Sequence, residues 1–340
     1  MAPVAITMGD PAGVGPEIIL KAFHARPHRQ HRWIYLGDPQ VLAWTAQRLK
    51  LPFNATEIQQ PEQAAHLPPD TLPMLATKAE ANMARLAFGQ PDPGHAEATV
   101  ESIRSACLGC RDGTFDAMAT PPINKSVLHA AGIHVPGHTE LLAQCCEAGP
   151  PVMMLAGQGL RVIPLTIHVA LHEVPERLTP QRLTTTLEIT AQALKIDFGL
   201  NKPRIAVAGL NPHAGEEGAF GRQEIDLIAP VCETMRNKLA PDVEIIGPLP
   251  ADTMFHPKAR QAYDVALCMY HDQALIPIKM LAFGDAVNIT LGLPIVRTSV
   301  DHGTAYNIAG QGIAEHRSLL SALALAETMA DNRTRHSQNP

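Results

Sequence analysis

The sequence predicts an α/β protein with a largely parallel sheet. Three observations carry that expectation. Short apolar runs rich in Val, Ile, Leu and Ala recur along the chain, and amphipathic stretches of helical period lie between them. The stretches that join them are marked by glycine and proline. Three of the runs, VIPLTIH, IAVAGLNPH and VALCMYH, pass directly from apolar residues to a histidine. Ligands of open α/β sheets sit beyond the carboxyl ends of strands, so those endings are where chemistry is expected.

Taken in order, Val4–Thr7 is an apolar run that reads as the first strand. The stretch TMGDPAGVGPEI at 7–18 follows, with Pro16 suited to the first turn of a helix over 15–25. Its glycines fit a tight structural turn or the close approach of an anion to a helix N-terminus. It is neither G-x-G-x-x-G nor a Walker loop with its Lys-Ser/Thr. A strand is expected at 33–36 and a helix at 40–50. Residues 60–73, with Pro61, Pro68, Pro69 and Pro73, read as a surface connection, and 89–94 as a second loop. Helices are then expected at 96–108, 180–198, 223–239 and 318–329, and strands at 115–119, 162–167, 205–210, 243–246 and 265–269. The polar stretch 331–340 is expected to fray.

A chain of 340 residues with 46% hydrophobic and 18% charged residues is globular rather than disordered. A net charge of -6 gives no nucleic-acid footprint, although it leaves room for a local anion site. No apolar stretch approaches the roughly 20 residues that span a bilayer. The N-terminus enters a strand-like run without a basic n-region or a signal-peptide core, so a cytoplasmic location is expected. Cys107-Leu-Gly-Cys110 has C-x-x-C spacing, but no second pair follows at zinc-site spacing, and small apolar residues near a helix end are the expectation.

His168, His213 and His271 end the three apolar runs. Neutral imidazole suits zinc and similar divalent ions, and three protein ligands leave positions open for substrate. Each histidine also fits as an isolated polar loop residue. In Gly137-His138-Thr139-Glu140, His138 and Thr139 are placed either to donate to phosphate or carboxylate oxygens or, with Thr139 as N-cap, to start a helix. Lys279, Asn288 and Arg297 lie in an apolar, glycine-containing segment where an anion clamp can form, with Arg297 as the bidentate member.

GDPAGVGPE, GHTELL, GLNPHAGEEG, GPLPADTMF, MYHDQALIPIK and VNITLGLPIVRTSVDHGTA occur in this order. Together they resemble the 4-hydroxythreonine-4-phosphate dehydrogenase family of vitamin B6 biosynthesis, over nearly the whole chain. GDPAGVGPE and HGTAYNIAGQGIA look more distantly like segments of isopropylmalate and isocitrate dehydrogenases. The resemblance implies two α/β/α lobes around a central cleft. Residues 1–130 with 300–340 would form the nucleotide lobe, and 131–299 the metal, substrate and dimer lobe.

It also implies an NAD- or NADP-dependent oxidation of 4-phosphooxy-L-threonine at C3, then decarboxylation to 3-amino-2-oxopropyl phosphate. His168, His213 and His271 would hold one divalent ion, zinc, magnesium or cobalt. His138, Thr139, Lys279, Asn288 and Arg297 would contact the phosphorylated hydroxy amino acid. Leu291, His302, Gly303 and Thr304 would face the nucleotide. Asp252 and Asp272 are candidates for general base, or for orienting a ligand histidine. A homodimer is implied, with the active site at its interface and His271 supplied by the partner of the chain carrying His168 and His213. No nucleic-acid or membrane partner is expected. Ile167 and Leu141-Leu142 depart from the family pattern and leave the substrate open. The other readings are a related dehydrogenase of 4-phospho-D-threonate, D-erythronate 4-phosphate or an aromatic-acid cis-dihydrodiol, and a non-catalytic phospholigand-binding protein.

Overall fold

The strands are short because each needs only to cross a sheet covered by helices, and the computed structural model bears out the α/β class. It describes residues 2–25, 32–135 and 137–338. In chain order the strands are β1 Val4–Thr7, β2 Trp33–Gly37, β3 Ala55–Ile58, β4 Leu72–Ala76, β5 Ala117–Thr120, β6 Val152–Gly157, β7 Leu160–Pro164, β8 Arg204–Ala208, β9 Glu244–Leu249, β10 Val265–Cys268, β11 Val287–Leu291 and β12 Arg297–Val300. The chain divides into two units, Met1–Pro151 with Leu293–Asp331, and Val152–Gly292 with Asn332–Pro340.

The first unit pairs its strands in the order β3-β4-β2-β1-β5-β12, all parallel. Helices Ala96–Arg111 and His138–Cys146 bury Ile103, Cys107, Leu141, Leu142 and Cys146 in one core with Ile34 and Met118. That shared core is why 131–151, expected in the second lobe, belongs to the first unit. Arg297 falls there too, on β12. The Cys107 and Cys146 thiols meet at 3.5 Å within this core, and burial pushes both pKa values up, as expected of packing residues.

The loop between β1 and the helix Gly15–His24 is closed on itself. Ala12 N donates to Asp10 Oδ1 at 2.9 Å, Gly13 N to Asp10 O at 3.2 Å, and Val14 N to Thr304 O at 3.0 Å. A Cβ at Gly13 would lie 2.9 Å from Thr304 O. The glycines of TMGDPAGVGPEI therefore serve the packing of one loop on another. The Tyr306 hydroxyl donates to the buried Asp10 Oδ2 at 2.6 Å and fastens the second loop to the first. Burial raises the Asp10 pKa.

In the second unit the order is β11-β6-β7-β10-β8-β9. β7, β10, β8 and β9 are parallel, whereas β6 runs antiparallel to both β11 and β7. The core holds Leu155, Val162, Ala206, Ala266, Ala274 and Ile278. The expected fraying of 331–340 is corrected for the described part of that stretch. The last helix, Arg317–Gln338, continues because Arg333 Nε donates to the buried Asp197 Oδ1 at 2.6 Å.

Tyr306→Phe removes a hydrogen bond to a buried carboxylate. The cost is expected at about 1.5–3 kcal/mol, read as a lower urea midpoint at unchanged slope.

Candidate active site

In the second unit β7, β10 and β8 lie side by side and run parallel, so their carboxyl ends share one edge. The segments leading to His168, His271 and His213 leave from that edge. Thr166 ties two of them together, its N–H and its hydroxyl both donating to Met269 O, at 3.2 and 2.8 Å. The rings of His168 and His271 are consequently 6.0 Å apart, centroid to centroid. They line a cavity of about 350 Å³ with Tyr270 and Asp272. His271 Nδ1 donates to Asp272 Oδ1 at 2.7 Å, which leaves Nε2 with the lone pair that a cation would take. Asp272 thus orients a candidate ligand.

His213 stands in a turn whose backbone is left-handed at His213, Ala214, Glu216 and Glu217, with φ of 52°, 52°, 41° and 53°. Such angles cost L-residues roughly 1–2 kcal/mol each. The entry to this turn is held by Glu224, a buried carboxylate that accepts from Leu210 N at 2.7 Å, Asn211 N at 2.8 Å and Asn211 Nδ2 at 2.9 Å. Gln273 joins the ends of β10 and β8: its Oε1 accepts from Met269 N at 2.7 Å and its Nε2 donates to Gly209 O at 2.8 Å. Among the described residues no three His, Cys, Asp or Glu side chains converge tightly enough to hold a metal. Within one chain His168 and His271 are the neighbouring pair of rings.

In the first unit the Arg297 side chain is 3% exposed. It donates from Nε and Nη2 to Thr120 Oγ1, at 3.1 and 2.7 Å, and burial pushes its pKa down to about 10. His138 opens the helix that ends at Cys146, with Gly137 as N-cap. Thr139 therefore sits inside the first turn, and the cap expected of it is not formed. His138 Nε2 is buried without a hydrogen-bond partner among the described residues. Burial first, then the charges of Arg297 and Lys125, hold its pKa well below the usual value, so the ring is neutral. His302 and Gly303 are exposed, and a Cβ at Gly303 would meet nothing within 4 Å. Thr304 anchors this loop through its carbonyl.

The other expected residues are spread over the second unit. Lys279 lies on the helix His271–Ala282, with Nζ 5.9 Å from the Phe283 ring centroid. Asn288 is half-buried on β11. Leu291 is 1% exposed, with its side chain packed in the sheet. Asp252 is exposed on the short helix Ala251–Met254.

The family model described as pyridoxal phosphate biosynthetic protein PdxA matches residues 29–326. The chain belongs to this family. A 4-hydroxythreonine-4-phosphate dehydrogenase of Caulobacter vibrioides is 48% identical over 97% of this chain and 98% of its own length. The crystal structure of 4-hydroxythreonine-4-phosphate dehydrogenase from Klebsiella pneumoniae superposes with a TM-score of 0.87 at 38% identity, covering 97% of this chain and 100% of that one. A terephthalate 1,2-cis-dihydrodiol dehydrogenase from Burkholderia xenovorans reaches a TM-score of 0.66 at 28% identity, covering 96% and 98%. For a PdxA-family chain the sequence reading omitted Glu224, Gln273, Asp10 and Tyr306. GEEGAFGRQE offered three glutamates with nothing local to single out Glu224, the one that is buried.

The neutral state of His138 has a consequence for stability. Its folded pKa lies below the unfolded value of about 6.5, so its contribution is complete above pH 6.5 and is lost as the pH falls through 6.5 toward the folded value, at up to about 1.4 kcal/mol per pH unit. His138→Gln is expected to lose Tm less steeply than the unaltered chain between about pH 6.5 and 5. Equal slopes would contradict a neutral buried ring.

Proposed function

We propose that the chain oxidises the C3 hydroxyl of 4-phosphooxy-L-threonine with NAD or NADP and that the resulting β-keto acid loses CO2, leaving 3-amino-2-oxopropyl phosphate. The observation that carries this reading is the His168–His271 pair, set 6.0 Å apart in one cavity with Asp272 orienting His271. Relatives named for this activity, at 48% and 38% identity over nearly the full length, support it.

The imidazole chemistry of His168, His271 and His213 suits a divalent cation, and the homodimer proposed below is what would bring the three together. Imidazole ligands favour zinc or cobalt over magnesium, which prefers oxygen. Such an ion would supply Lewis acidity toward the substrate's C3 oxygen, and the nicotinamide nucleotide would supply the hydride acceptor. The protein's own groups do the rest. Asp272 keeps His271 in one tautomer. Glu224 holds the turn that carries His213. Asp252, exposed on its short helix, is the proposed acceptor of the hydroxyl proton. Arg297, His138 and Thr139 in the first unit, and Lys279 and Asn288 in the second, bind the substrate's anionic and polar groups. The exposed His302-Gly303 loop receives the nucleotide.

A related dehydrogenase acting on a cis-dihydrodiol is the second reading, supported by the weaker likeness to the Burkholderia enzyme. The buried Arg297 favours a phosphorylated substrate over it. NADH formation across a panel of 4-phosphooxy-L-threonine, 4-phospho-D-threonate, D-erythronate 4-phosphate and a terephthalate dihydrodiol tests the choice. The first should turn over fastest, and a chelator should stop it. A dihydrodiol turned over in preference would overturn the assignment.

We further propose a homodimer whose active site lies at the interface, where the partner of the chain carrying His168 and His213 supplies His271. The helix His271–Ala282 and its C-cap expose Ile276 at 58%, Met280 at 82% and Phe283 at 81%, an apolar stripe suited to a partner helix. His213→Ala and His271→Ala homodimers should each be inactive. In a mixed dimer one site collects both lesions and the other none, so random mixing should restore about a quarter of full activity. Inactive mixed dimers built from folded chains would place all three histidines on one chain.

A further inference from the structure

The first unit holds a cation that no part of the reaction has yet used. Lys125 begins the helix Lys125–Ala130, just beyond β5, the strand whose last residue, Thr120, holds Arg297. Its place is fixed by Asn124, whose Oδ1 accepts from Ser126 N at 2.8 Å, Val127 N at 3.3 Å and Ser126 Oγ at 2.6 Å. The lysine side chain then lies across the backbone of Gly137. A Cβ at Gly137 would come 3.1 Å from Lys125 Cε, 3.4 Å from Lys125 Nζ and 3.3 Å from Glu140 Oε2. Gly137 has an extended φ of 166°. The next residue is His138, with its buried, unpartnered Nε2.

We propose that Lys125 is a further substrate-binding residue, which joins Arg297 and His138 in holding a phosphate group. The proposal rests on the reading of the substrate as a phosphorylated hydroxy acid. Lys125 lies against Gly137, beside His138, and the charges of Arg297 and Lys125 both reach the His138 ring, while Glu140, whose charge reaches Arg297, is exposed to solvent. A carboxylate ligand would need one of those cations. A phosphate dianion matches both, and its terminal oxygens can take one donor each from guanidinium, ammonium and imidazole.

Inorganic phosphate is the probe, titrated calorimetrically into the full-length protein without nucleotide. Lys125→Met should weaken its binding about tenfold or more, Lys125→Arg should restore most of the loss, and the Tm without phosphate should stay within a degree or two. Lys125→Gln is read the same way should the methionine variant fold poorly. With 4-phosphooxy-L-threonine, KM should rise by a similar factor and kcat should fall less. Unchanged phosphate affinity in a folded Lys125→Met protein would overturn the proposal. So would loss of Tm in Lys125→Met that Glu140→Gln reproduces, which would make the lysine a structural partner of Glu140. Lysine-dependent phosphate binding without NADH formation would leave Lys125 in place and remove the dehydrogenase reading instead.

Discussion

Parallel pairing of short strands is the constraint on which the rest of the structure depends. A parallel ladder cannot be closed by a tight hairpin, so each strand must hand the chain to a crossover and every loop of one kind emerges on the same edge. In the second unit this brings the segments after β7, β10 and β8 side by side, although His168, His213 and His271 are far apart in the chain. The local bonds then refine the arrangement. Thr166 and Gln273 stitch neighbouring strand ends together, Glu224 holds a left-handed turn against its intrinsic cost, and Asp272 selects the tautomer of His271.

The two units treat charge differently. In the first, Arg297 is buried at a cost visible in its lowered pKa, and the neighbouring histidine is kept neutral by the same burial. The charge of Glu140 acts on Arg297 in the opposite sense to that burial. In the second, the imidazoles are exposed or half-exposed and His271 is tied to the exposed Asp272, an arrangement that suits exchange with solvent and cation capture.

The strands that bear histidines were legible because period, composition and turn residues agreed there. β12 was not: Arg-Thr-Ser-Val reads as surface, yet all four residues are buried. Its polar groups are satisfied over long range, Arg297 by Thr120, Thr298 by Ala322 O and Ser299 by Thr120 O, and no local pattern announces such partners. β11 and β12 are separated only by Gly292 to Val296, so the two strands merged into one apolar segment on reading. β3 lies just before the proline-rich stretch 60–73 and was not expected, and β4 begins inside that stretch, which was read as a surface connection. Among site residues, histidines at strand ends stand out by type, whereas Glu224, Gln273 and Lys125 acquire meaning only from what the fold places beside them.

The account stands or falls on coupled oxidation and decarboxylation. The most direct measurement uses 4-phosphooxy-L-threonine labelled with carbon-13 in its carboxyl group, incubated with the metal-loaded protein and NAD. NADH is followed by absorbance and labelled CO2 by mass spectrometry. The account predicts one CO2 for each NADH, with both lost together in His271→Ala. NADH without labelled CO2, or undiminished turnover in metal-free His271→Ala protein, would contradict it.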